Sequence, residues 1–483
     1  MTDYKKIIKE RIFIMRKIAD DFCGYLTVGE DNYTYHILNN IVTLLPAQSE
    51  KSKIYESFDR IRNRDIDRPE YLFGEDNDGM IAILRNGKFS TGGMGFSPTI
   101  KFATPIIIKA SGNAQGFFDM MKEPWYKFHA ITFYGGNINA LCDPGLALQP
   151  SDVHDYLKYD GASEIRMRPW NDYSRSIDFK IGNEKVTLTF SIMQDGETNS
   201  TEHNGAYNLG NLNSFIRLSF DNAQHFDMIQ ECYLIVKKLV AILTSQNNVY
   251  FNVYISQKNF DGKFFKTGIC KIFDRYDNYS TRKCHNVIPI FSIFDYIPNL
   301  IEGIVNSKAN SLLELLPENN QMVNRISIKN VQDMCTALEV TYRLDDNRIR
   351  EKDILIENLK KNIKKTISDF SESHDEIDVN KETTISSAFE YLDYTLKQKI
   401  LTLYNENHNV ADAIVSKWQL PQINETNIAS FVKLRNSKTH SGTVEWGDNA
   451  KLYAPLLAIV YAGFFKYVGF PDKLISCTLL QIF

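Results

Sequence analysis

Short runs of alternating apolar and polar residues dominate the first 290 residues of the chain. The run over 214–220 is the clearest, because alternation places every second side chain on one face of a strand. Runs of this length, separated by turn residues at short intervals, are typical of antiparallel sheets. The pattern therefore predicts a β-rich, sandwich-like or barrel-like region over 1–290, built as one or two subdomains.

Three hairpins are predicted inside this region. Two apolar runs within 24–41 are separated by a short turn of glycine and acidic residues. Asn86-Gly87 follows a third run, and this dipeptide is the strongest short hairpin signal because both residues tolerate positive φ. Gly182-Asn183 separates two further runs in the same way. Each pair of flanking runs is expected to form adjacent antiparallel strands.

The period of the pattern changes near residue 292. Apolar residues then recur every three or four positions, as they do on one face of a helix. The segment 328–344 is a clear example, and 226–244 shows the same pattern earlier in the chain. We expect a bundle of about five helices over 291–483. The predicted fold class is therefore α+β, with a β-rich N-terminal region over 1–290 and an all-α domain over 291–483.

One predicted helix, over 352–370, has a basic side. Its apolar stripe and its lysines fall on different faces. The stripe consists of Ile356, Leu359, Ile363 and Ile367, and the lysines are Lys360, Lys361, Lys364 and Lys365. The lysines are interpreted either as a solvated face or as contacts for the phosphates of RNA.

Composition narrows the class of protein only modestly. The chain has 483 residues, 43% of them hydrophobic, and a net charge of -4, which is ordinary for a soluble protein of two or three domains. Any binding of nucleic acid must come from a local basic patch. The seven cysteines are scattered without a CxxC pair, which favours free thiols in the cytosol over disulfides.

Two apolar segments could be mistaken for targeting signals. The N-terminal run carries charges throughout, so no signal peptide is predicted and a cytoplasmic location is expected. The segment 452–470 is nearly long enough to cross a membrane. It contains Pro455 and Lys466, however, and is interpreted as a buried core helix. No membrane association is expected.

Arg435 and His440 are the candidate catalytic residues. Asn427 is in a position to cap their helix. Arg435 follows an apolar face that includes Phe431, so it is expected on or beside a buried surface. A guanidinium can bind a phosphate and offset developing negative charge, and a histidine can transfer a proton near neutral pH. Asn436 supplies an amide that could orient either the histidine or a phosphate.

The spacing of these two residues raises a geometric difficulty. Five residues of continuous helix rotate two side chains by about 140° relative to each other. Arg435 and His440 converge better if the helix ends or kinks near 437–439, and Ser441-Gly442 marks such an ending. Taken from the residues alone, a structural arginine and a surface histidine are the simpler interpretation. No cluster of His, Cys or carboxylate residues has metal-ligand spacing, so neither a metal nor a cofactor is predicted.

The stretch Leu434-Arg-Asn-Ser-Lys-Thr-His-Ser-Gly442 resembles the signature of HEPN domains, in which an arginine, a polar residue and a short spacer precede a histidine. Arg435, Asn436 and His440 match that signature position by position. The order of the regions resembles the ApeA-type HEPN proteins of bacterial anti-phage defence. The segment Ala337-Leu-Glu-Val-Thr-Tyr-Arg343 is similar to an early helix of that group. The motif match covers the helical region, whereas the N-terminal region resembles the group only in layout.

This resemblance implies a metal-independent endoribonuclease that cleaves RNA by attack of the 2′-hydroxyl and leaves a 2′,3′-cyclic phosphate. It implies that Arg435 and His440 are catalytic and that Asn436 supports them. Lys438 is then a further candidate for contact with RNA. It also implies a homodimer in which two motifs build one composite site. The N-terminal region would respond to a phage-derived trigger or restrain the nuclease.

Two alternatives remain open at this stage. The helical domain could serve only as a dimerisation scaffold of a non-catalytic interaction protein, whose β-rich region senses a ligand. The chain could also be a β-sandwich ligand-binding protein with an unrelated helical tail. Cleavage of RNA separates the first alternative from a nuclease, and stabilisation of the N-terminal half by a small ligand favours the second.

Overall fold

The computed structural model describes the larger part of the chain. The described residues are 21–28, 31–38, 41–46, 71–76, 81–85, 89–92, 99–103, 106–110, 123, 127–150, 165–195, 211–272, 287–305, 307–318, 326–345, 354–373, 383–385, 395–441 and 447–483. The protein is α+β, with antiparallel β-structure in its N-terminal part and helices in its C-terminal part.

The chain divides into two compact units. The first comprises Met1–Lys237 and Val249–Thr281, and the second comprises Lys238–Asn248 and Arg282–Phe483. This division differs in two ways from the one drawn at residue 290 on sequence. It falls slightly earlier, and Lys238–Asn248 belongs to the helical unit because a helix that starts in the first unit continues into the second.

Antiparallel strands form the first unit. They are β1 (Asp21–Val28), β2 (Asp31–Leu38), β3 (Ile41–Pro46), β4 (Tyr71–Asp76), β5 (Ile81–Arg85), β6 (Phe89–Gly92), β7 (Thr99–Ala103), β8 (Ile106–Ala110), β9 (Lys127–Tyr134), β10 (Leu148–Pro150), β11 (Ile165–Met167), β12 (Arg175–Ile181), β13 (Glu184–Asp195), β14 (Asn211–His225), β15 (Asn252–Lys258) and β16 (Phe264–Ile272). Strands β10 and β11 pair separately.

The other described strands join in one 14-stranded sheet, in the order β12-β13-β14-β9-β15-β16-β8-β5-β4-β1-β2-β3-β7-β6. The sequence predicted a β-rich, sandwich-like or barrel-like region over 1–290. The structure links every one of these strands through hydrogen bonds. The prediction that the N-terminal part is β-rich is confirmed.

Two of the three predicted hairpins form. Strands β1 and β2 pair from Val28 opposite Asp31, and β12 and β13 pair from Ile181 opposite Glu184. Between the latter, Gly182 has a φ of 57°, the left-handed conformation that the turn requires.

The hairpin predicted at Asn86-Gly87 is wrong. Strand β5 before the dipeptide pairs with β4 and β8, so both of its edges are occupied. Strand β6 after the dipeptide pairs with β7, at the far end of the sheet. A strong local turn signal is therefore overridden by the pairing of the whole sheet.

The two faces of the sheet differ around β9, β13 and β14. One face carries fully buried apolar side chains, including Leu188, Ile216 and Phe133. Helix α3 (Met228–Thr244) contacts this face through Tyr233, whose ring lies 5.5 Å from that of Phe251. The other face carries polar, cationic and aromatic residues. The first unit also contains two short helices, α1 (Ile138–Leu141) and α2 (Trp170–Tyr173).

The second unit is helical. Its further helices are α4 (Ile297–Val305), α5 (Ser307–Glu314), α6 (Ile328–Arg343), α7 (Ile354–Ser373), α8 (Leu396–Trp418), α9 (Glu425–Ser441), α10 (Tyr453–Tyr467) and α11 (Asp472–Ile482). The prediction that this region is helical is confirmed, but about five helices were expected and the described residues of the region form the eight α-helices named above. The predicted amphipathic helix near the N-terminus, over 4–20, lies outside the described residues.

Helix α10 forms the centre of the helical unit. It packs against α6, α8 and α11, and nearly all of its side chains are buried. The hydroxyl of Tyr461 donates a hydrogen bond of 3.0 Å to the carbonyl oxygen of Ile242. The interpretation of 452–470 as a core helix is confirmed. Within the described residues, no helix is both long enough and apolar enough to span a membrane.

Candidate active site

Helix α9 carries the candidate catalytic residues. The carboxamide oxygen of Asn424 accepts a hydrogen bond of 2.9 Å from the backbone N–H of Asn427. Asn424 therefore caps the helix, which begins at Glu425. The prediction that Asn427 is the cap is wrong, because Asn427 lies in the first turn and supplies the N–H that needs a partner.

Arg435 lies beside the buried face of α9. Ile428, Phe431 and Leu434 are buried on this face, which packs against α6 and α8. Arg435 is partly buried, in the position that its spacing from Phe431 predicts. This packing restricts the motion of the Arg435 side chain but leaves part of it in contact with water. The charged guanidinium therefore does not lose all of its hydration free energy.

The guanidinium of Arg435 acts on a buried thiol of helix α6. Burial raises the pKa of Cys335 to about 12. The positive charge of Arg435 opposes this rise in pKa, and the nearby carboxylate of Glu339 adds to it. Arg435 and Glu339 therefore both lie close to the same sulfur atom. Cys335 stays a neutral thiol at physiological pH and is no candidate nucleophile.

A second cation lies near the same carboxylate. The Nζ atom of Lys399 is 3.9 Å from Oε1 of Glu339, and the side chain of Lys399 is only 7% exposed. The ammonium group also lies 6.0 Å from the ring centre of Tyr342. We call Arg435, Glu339 and Lys399 the charge cluster: the charges of Arg435 and Glu339 act on Cys335, and Lys399 pairs with Glu339, so that α9 and α8 are both linked to α6.

Sequence reasoning missed Glu339 and Lys399. Glu339 lies one helical turn after Cys335, so the two share a face of α6. Lys399 comes from a different helix, and no local pattern signals that contact. A charged residue inside the apolar pattern of α8, where Lys399 precedes Ile400, was the only available hint.

Helix α9 continues through the motif to Ser441. The condition for convergence, an ending or kink near 437–439, is therefore not met, and the ending at Ser441 agrees with the Ser-Gly signal. Along a continuous helix, the positions of Arg435 and His440 are about 7.5 Å apart and about 140° apart in rotation. The two positions therefore do not share one face of the helix within a single chain. The side chains of Asn436, Lys438 and His440 lie outside the described residues.

The four lysines of α7 belong to a different part of the helical unit. Helices α6 and α8, rather than α7, pack against α9 in the part of the chain that the structure describes. The ammonium of Lys360 bonds to the carboxylate of Glu357 at 3.3 Å, and its side chain is only 16% exposed. Lys361, Lys364 and Lys365 are exposed. The structure therefore does not group these lysines with Arg435.

The apolar stripe of α7 also differs from its expected environment. Ile356, Ile363 and Ile367 are only partly buried, and Leu359 is 52% exposed. Among the described residues, no cluster of three or more His, Cys, Asp or Glu side chains could hold a metal ion. The described part of the candidate site is therefore the charge cluster, to which Arg435 belongs, together with Cys335.

Comparison with known proteins gives no relative. No protein-family model, no curated protein and no solved structure matches the chain. The chemistry of the site must therefore be argued from its own residues.

Proposed function

We propose that the protein is a metal-independent endoribonuclease of the HEPN type, acting as an effector of anti-phage defence. The observation that supports this most is the position of Arg435. It lies beside a buried helix face, its charge acts on the buried Cys335, and it precedes Asn436 and His440 at the spacing of the HEPN signature. A packed arginine has less conformational freedom to lose when it binds a phosphate.

The proposed chemistry uses only groups of the RNA and of this motif. The 2′-hydroxyl attacks the adjacent phosphorus, and the bond to the 5′-oxygen of the next nucleotide breaks. His440 takes the 2′-proton, and the leaving 5′-oxygen receives a proton from the resulting imidazolium of His440 or from water. Arg435 offsets the charge that develops on the phosphate, and Asn436 orients the histidine or the phosphate. The products are a 2′,3′-cyclic phosphate and a free 5′-hydroxyl.

The continuous helix favours a site shared between two chains. Because Arg435 and His440 diverge along α9, a dimer in which two copies of the motif face each other would bring an arginine of one protomer near a histidine of its partner. Lys438 and the exposed lysines of α7, Lys361, Lys364 and Lys365, would add contacts to RNA phosphates. The β-rich unit would respond to a phage-derived trigger.

Cleavage of RNA by the purified full chain tests this proposal. The protein is incubated with RNA in the presence of EDTA, beside the variants Arg435→Ala and His440→Ala. Loss of a proton-transfer group or of a charge-stabilising donor is expected to reduce cleavage by about 100-fold or more. Matched controls are Lys433→Ala, an exposed cation on the same helix, and His408→Ala, an exposed histidine on α8. The controls should cleave like the wild type.

Three results would contradict the nuclease. Cleavage that stops on chelation would exclude the metal-independent reaction. A product with a terminal 3′-hydroxyl would exclude attack by the 2′-hydroxyl. Intact RNA with the wild-type protein, also after addition of lysate from phage-infected cells, would leave no activity for the motif to explain.

A second candidate is a non-catalytic interaction protein, and the same helix supports it. If α9 remains continuous and no partner completes the site, Arg435 and His440 never meet on one substrate. The helical unit would then serve as a dimerisation scaffold for a ligand-sensing β-rich unit. Toxicity on expression distinguishes the two. If the protein is a nuclease, expression of the wild type should be toxic, and His440→Ala should relieve that toxicity. If it is a scaffold, cells that express the wild type and cells that express His440→Ala should grow equally well.

A further inference from the structure

Cations and aromatic rings occupy one face of the sheet in the β-rich unit. Arg217 on β14, Thr132 on β9 and Tyr254 on β15 lie directly opposite one another in register. Their side chains therefore project from the same face of three adjacent strands. This face lies opposite the apolar face of the same strands.

Arg217 is held at the centre of this face by uncharged groups. Its Nε donates a hydrogen bond of 3.1 Å to Oγ1 of Thr132, and Nη2 donates one of 3.3 Å to the hydroxyl of Tyr254. The guanidinium carbon lies 5.1 Å from the ring centre of Phe215 and 5.5 Å from that of Phe264. Among the described residues, no carboxylate forms an ion pair with Arg217. The hydrogen bonds and the rings thus hold Arg217 in position, while no described carboxylate pairs with its charge.

Two lysines extend the positive charge over the neighbouring strands. The Nζ atom of Lys258 lies 5.4 Å from the ring centre of Phe264 and bonds to the carbonyl oxygen of Phe220 at 3.3 Å. The Nζ atom of Lys266 lies 5.0 Å from the ring centre of Tyr254. Each cation therefore lies beside a ring rather than in open solvent, at distances typical of cation–π contacts.

An exposed tryptophan lies at the edge of the same face. The ring of Trp170, on helix α2, is 6.2 Å from that of Phe215, and the residue is 49% exposed. Arg217, Lys258, Phe264 and Lys266 are partly exposed. We name this surface the cation–aromatic face and define it by Trp170, Arg217, Lys258, Phe264 and Lys266. Tyr254, which contacts Arg217 and Lys266, is itself buried.

One described acidic residue of the same sheet, Asp178, already has partners. Asp178 lies on β12, at the edge of the sheet beyond β13 and β14. Its carboxylate accepts a hydrogen bond of 2.7 Å from Thr187 and pairs with Lys185 at 3.0 Å. It is therefore engaged by its own neighbours. The three cations of the cation–aromatic face favour an anionic occupant, and its rings favour one that is flat and aromatic.

We propose that the cation–aromatic face binds a short stretch of single-stranded nucleic acid. Bases would stack on the exposed ring of Trp170 and the partly exposed ring of Phe264, and Arg217, Lys258 and Lys266 would contact phosphates. Strands β14, β9, β15 and β16 span about 14 Å, a width on which sheets of this kind accommodate two or three nucleotides. The alternative, in which the cations only pack the sheet, predicts no such binding.

The inference concerns a second site and does not require that the protein cleave RNA. Binding is therefore measured with full-length His440→Ala protein, in which the proposed nuclease is inactive. The probe is a fluorescent oligouridine of about ten nucleotides, and anisotropy reports binding. Trp170→Ala should weaken binding about tenfold, because the loss of one base stack has an effect of this order. Lys266→Gln should lower the slope of log affinity against log salt by about 0.7.

Matched controls lie in the helical unit. Trp418→Ala removes a tryptophan that is 59% exposed, and Lys473→Gln removes an exposed lysine. Both controls should bind like the parent protein. A duplex of the same length should bind more weakly than the single strand, because its bases are not available for stacking. Thermal unfolding of each variant verifies that the sheet is intact.

Several outcomes would overturn the proposal. One is that Trp170→Ala and Lys266→Gln bind as tightly as the parent protein. Another is that the controls weaken binding equally. Competition by polyglutamate at the same charge concentration would indicate a patch that binds any polyanion, including acidic proteins. A loss of RNA cleavage with intact oligouridine binding would contradict only the proposed nuclease, so the two failures are distinguishable.

Discussion

At the scale of single residues, Gly136 makes a turn that a side chain would obstruct. Its φ is 53°, and a Cβ atom there would lie 2.1 Å from the carbonyl oxygen of Tyr250. The next residue, Asn137, keeps the backbone of Tyr250 close to Gly136 through two hydrogen bonds. Its N–H bonds to the same oxygen at 2.8 Å, and its side-chain oxygen accepts from the N–H of Tyr250 at 2.7 Å.

We expect Gly136→Ala to lower the free energy of unfolding by about 3 kcal/mol, since strain from positive φ adds to a steric clash. Gly182→Ala is the matched control. Gly182 has a similar φ of 57°, but nothing lies within 4 Å of the position that a Cβ atom would take there. It should lose only about 1 kcal/mol. Urea denaturation followed by circular dichroism measures both, and equal losses would contradict the role assigned to the Tyr250 contact.

Asp333 on helix α6 gives a prediction for pH. Burial raises its pKa, although Lys329, 3.6 Å away, opposes the rise. An acid whose pKa is higher in the folded than in the unfolded state destabilises the fold when it ionises. This destabilisation is absent below the unfolded pKa, near 3.8, and complete above the raised folded pKa.

Asp333→Asn should therefore raise the melting temperature at pH 7, and the gain should disappear as the pH falls below about 4. Asp448→Asn is the opposite control. Hydrogen bonding and charge from Lys451 lower the pKa of Asp448, so this substitution should not stabilise the protein. Calorimetry over the pH range measures both variants. A gain for Asp333→Asn that persists at acid pH would contradict the assignment.

Single residues also show where sequence reasoning ends. Arg435 could be placed beside a buried face, because its spacing from Phe431 is a property of one helix. Glu339 and Lys399 could not be placed near it, because their proximity depends on how α6, α8 and α9 pack. Charge clusters of this kind are long-range contacts between elements, and one sequence carries no local signal for them.

At the scale of elements, the spacing of apolar residues along the sequence identified most helices and strands. Local turn signals were less reliable. Gly182-Asn183 joins two strands that are free to pair, whereas Asn86-Gly87 follows β5, whose edges are taken by β4 and β8. The apolar stripe of α7 shows a second limit, since Leu359 is exposed despite its regular spacing. Periodicity defines a face but does not state what covers it.

The crossing of α6 and α10 depends on Gly463. A Cβ atom at Gly463 would lie 2.3 Å from Cγ2 of Thr341. We expect Gly463→Ala to lower the free energy of unfolding by about 2 kcal/mol through overpacking. Thr341→Ser removes this methyl group and retains the hydroxyl, which donates to the carbonyl oxygen of Ala337 at 2.8 Å.

The double variant Gly463→Ala/Thr341→Ser should therefore be more stable than Gly463→Ala alone. A double-mutant cycle measured by urea denaturation gives the coupling free energy. Additive losses from the two substitutions would show that the helices separate rather than clash at this point.

At the scale of the whole molecule, the composite-site hypothesis makes a prediction about mixed dimers. Under this hypothesis, the positions of Arg435 and His440, about 140° apart around α9, belong to two different pairs, and each working pair comes from two chains. Arg435→Ala and His440→Ala protein would each be inactive alone. A mixed dimer would retain one intact pair, the arginine of the His440→Ala protomer and the histidine of the Arg435→Ala protomer.

The two variants are coexpressed with different affinity tags and pair at random. Half of the dimers are then mixed, and each mixed dimer has one intact site out of two. We therefore expect about a quarter of the wild-type cleavage. The control is a mixture of the wild type with a chain that carries both substitutions. In these mixed dimers the substituted chain supplies neither Arg435 nor His440 to its partner. If Arg435 and His440 act within one chain, the mixture of single variants should show no recovery. Gel filtration of each mixture measures dimer formation, so failure to pair is distinguished from failure to cleave.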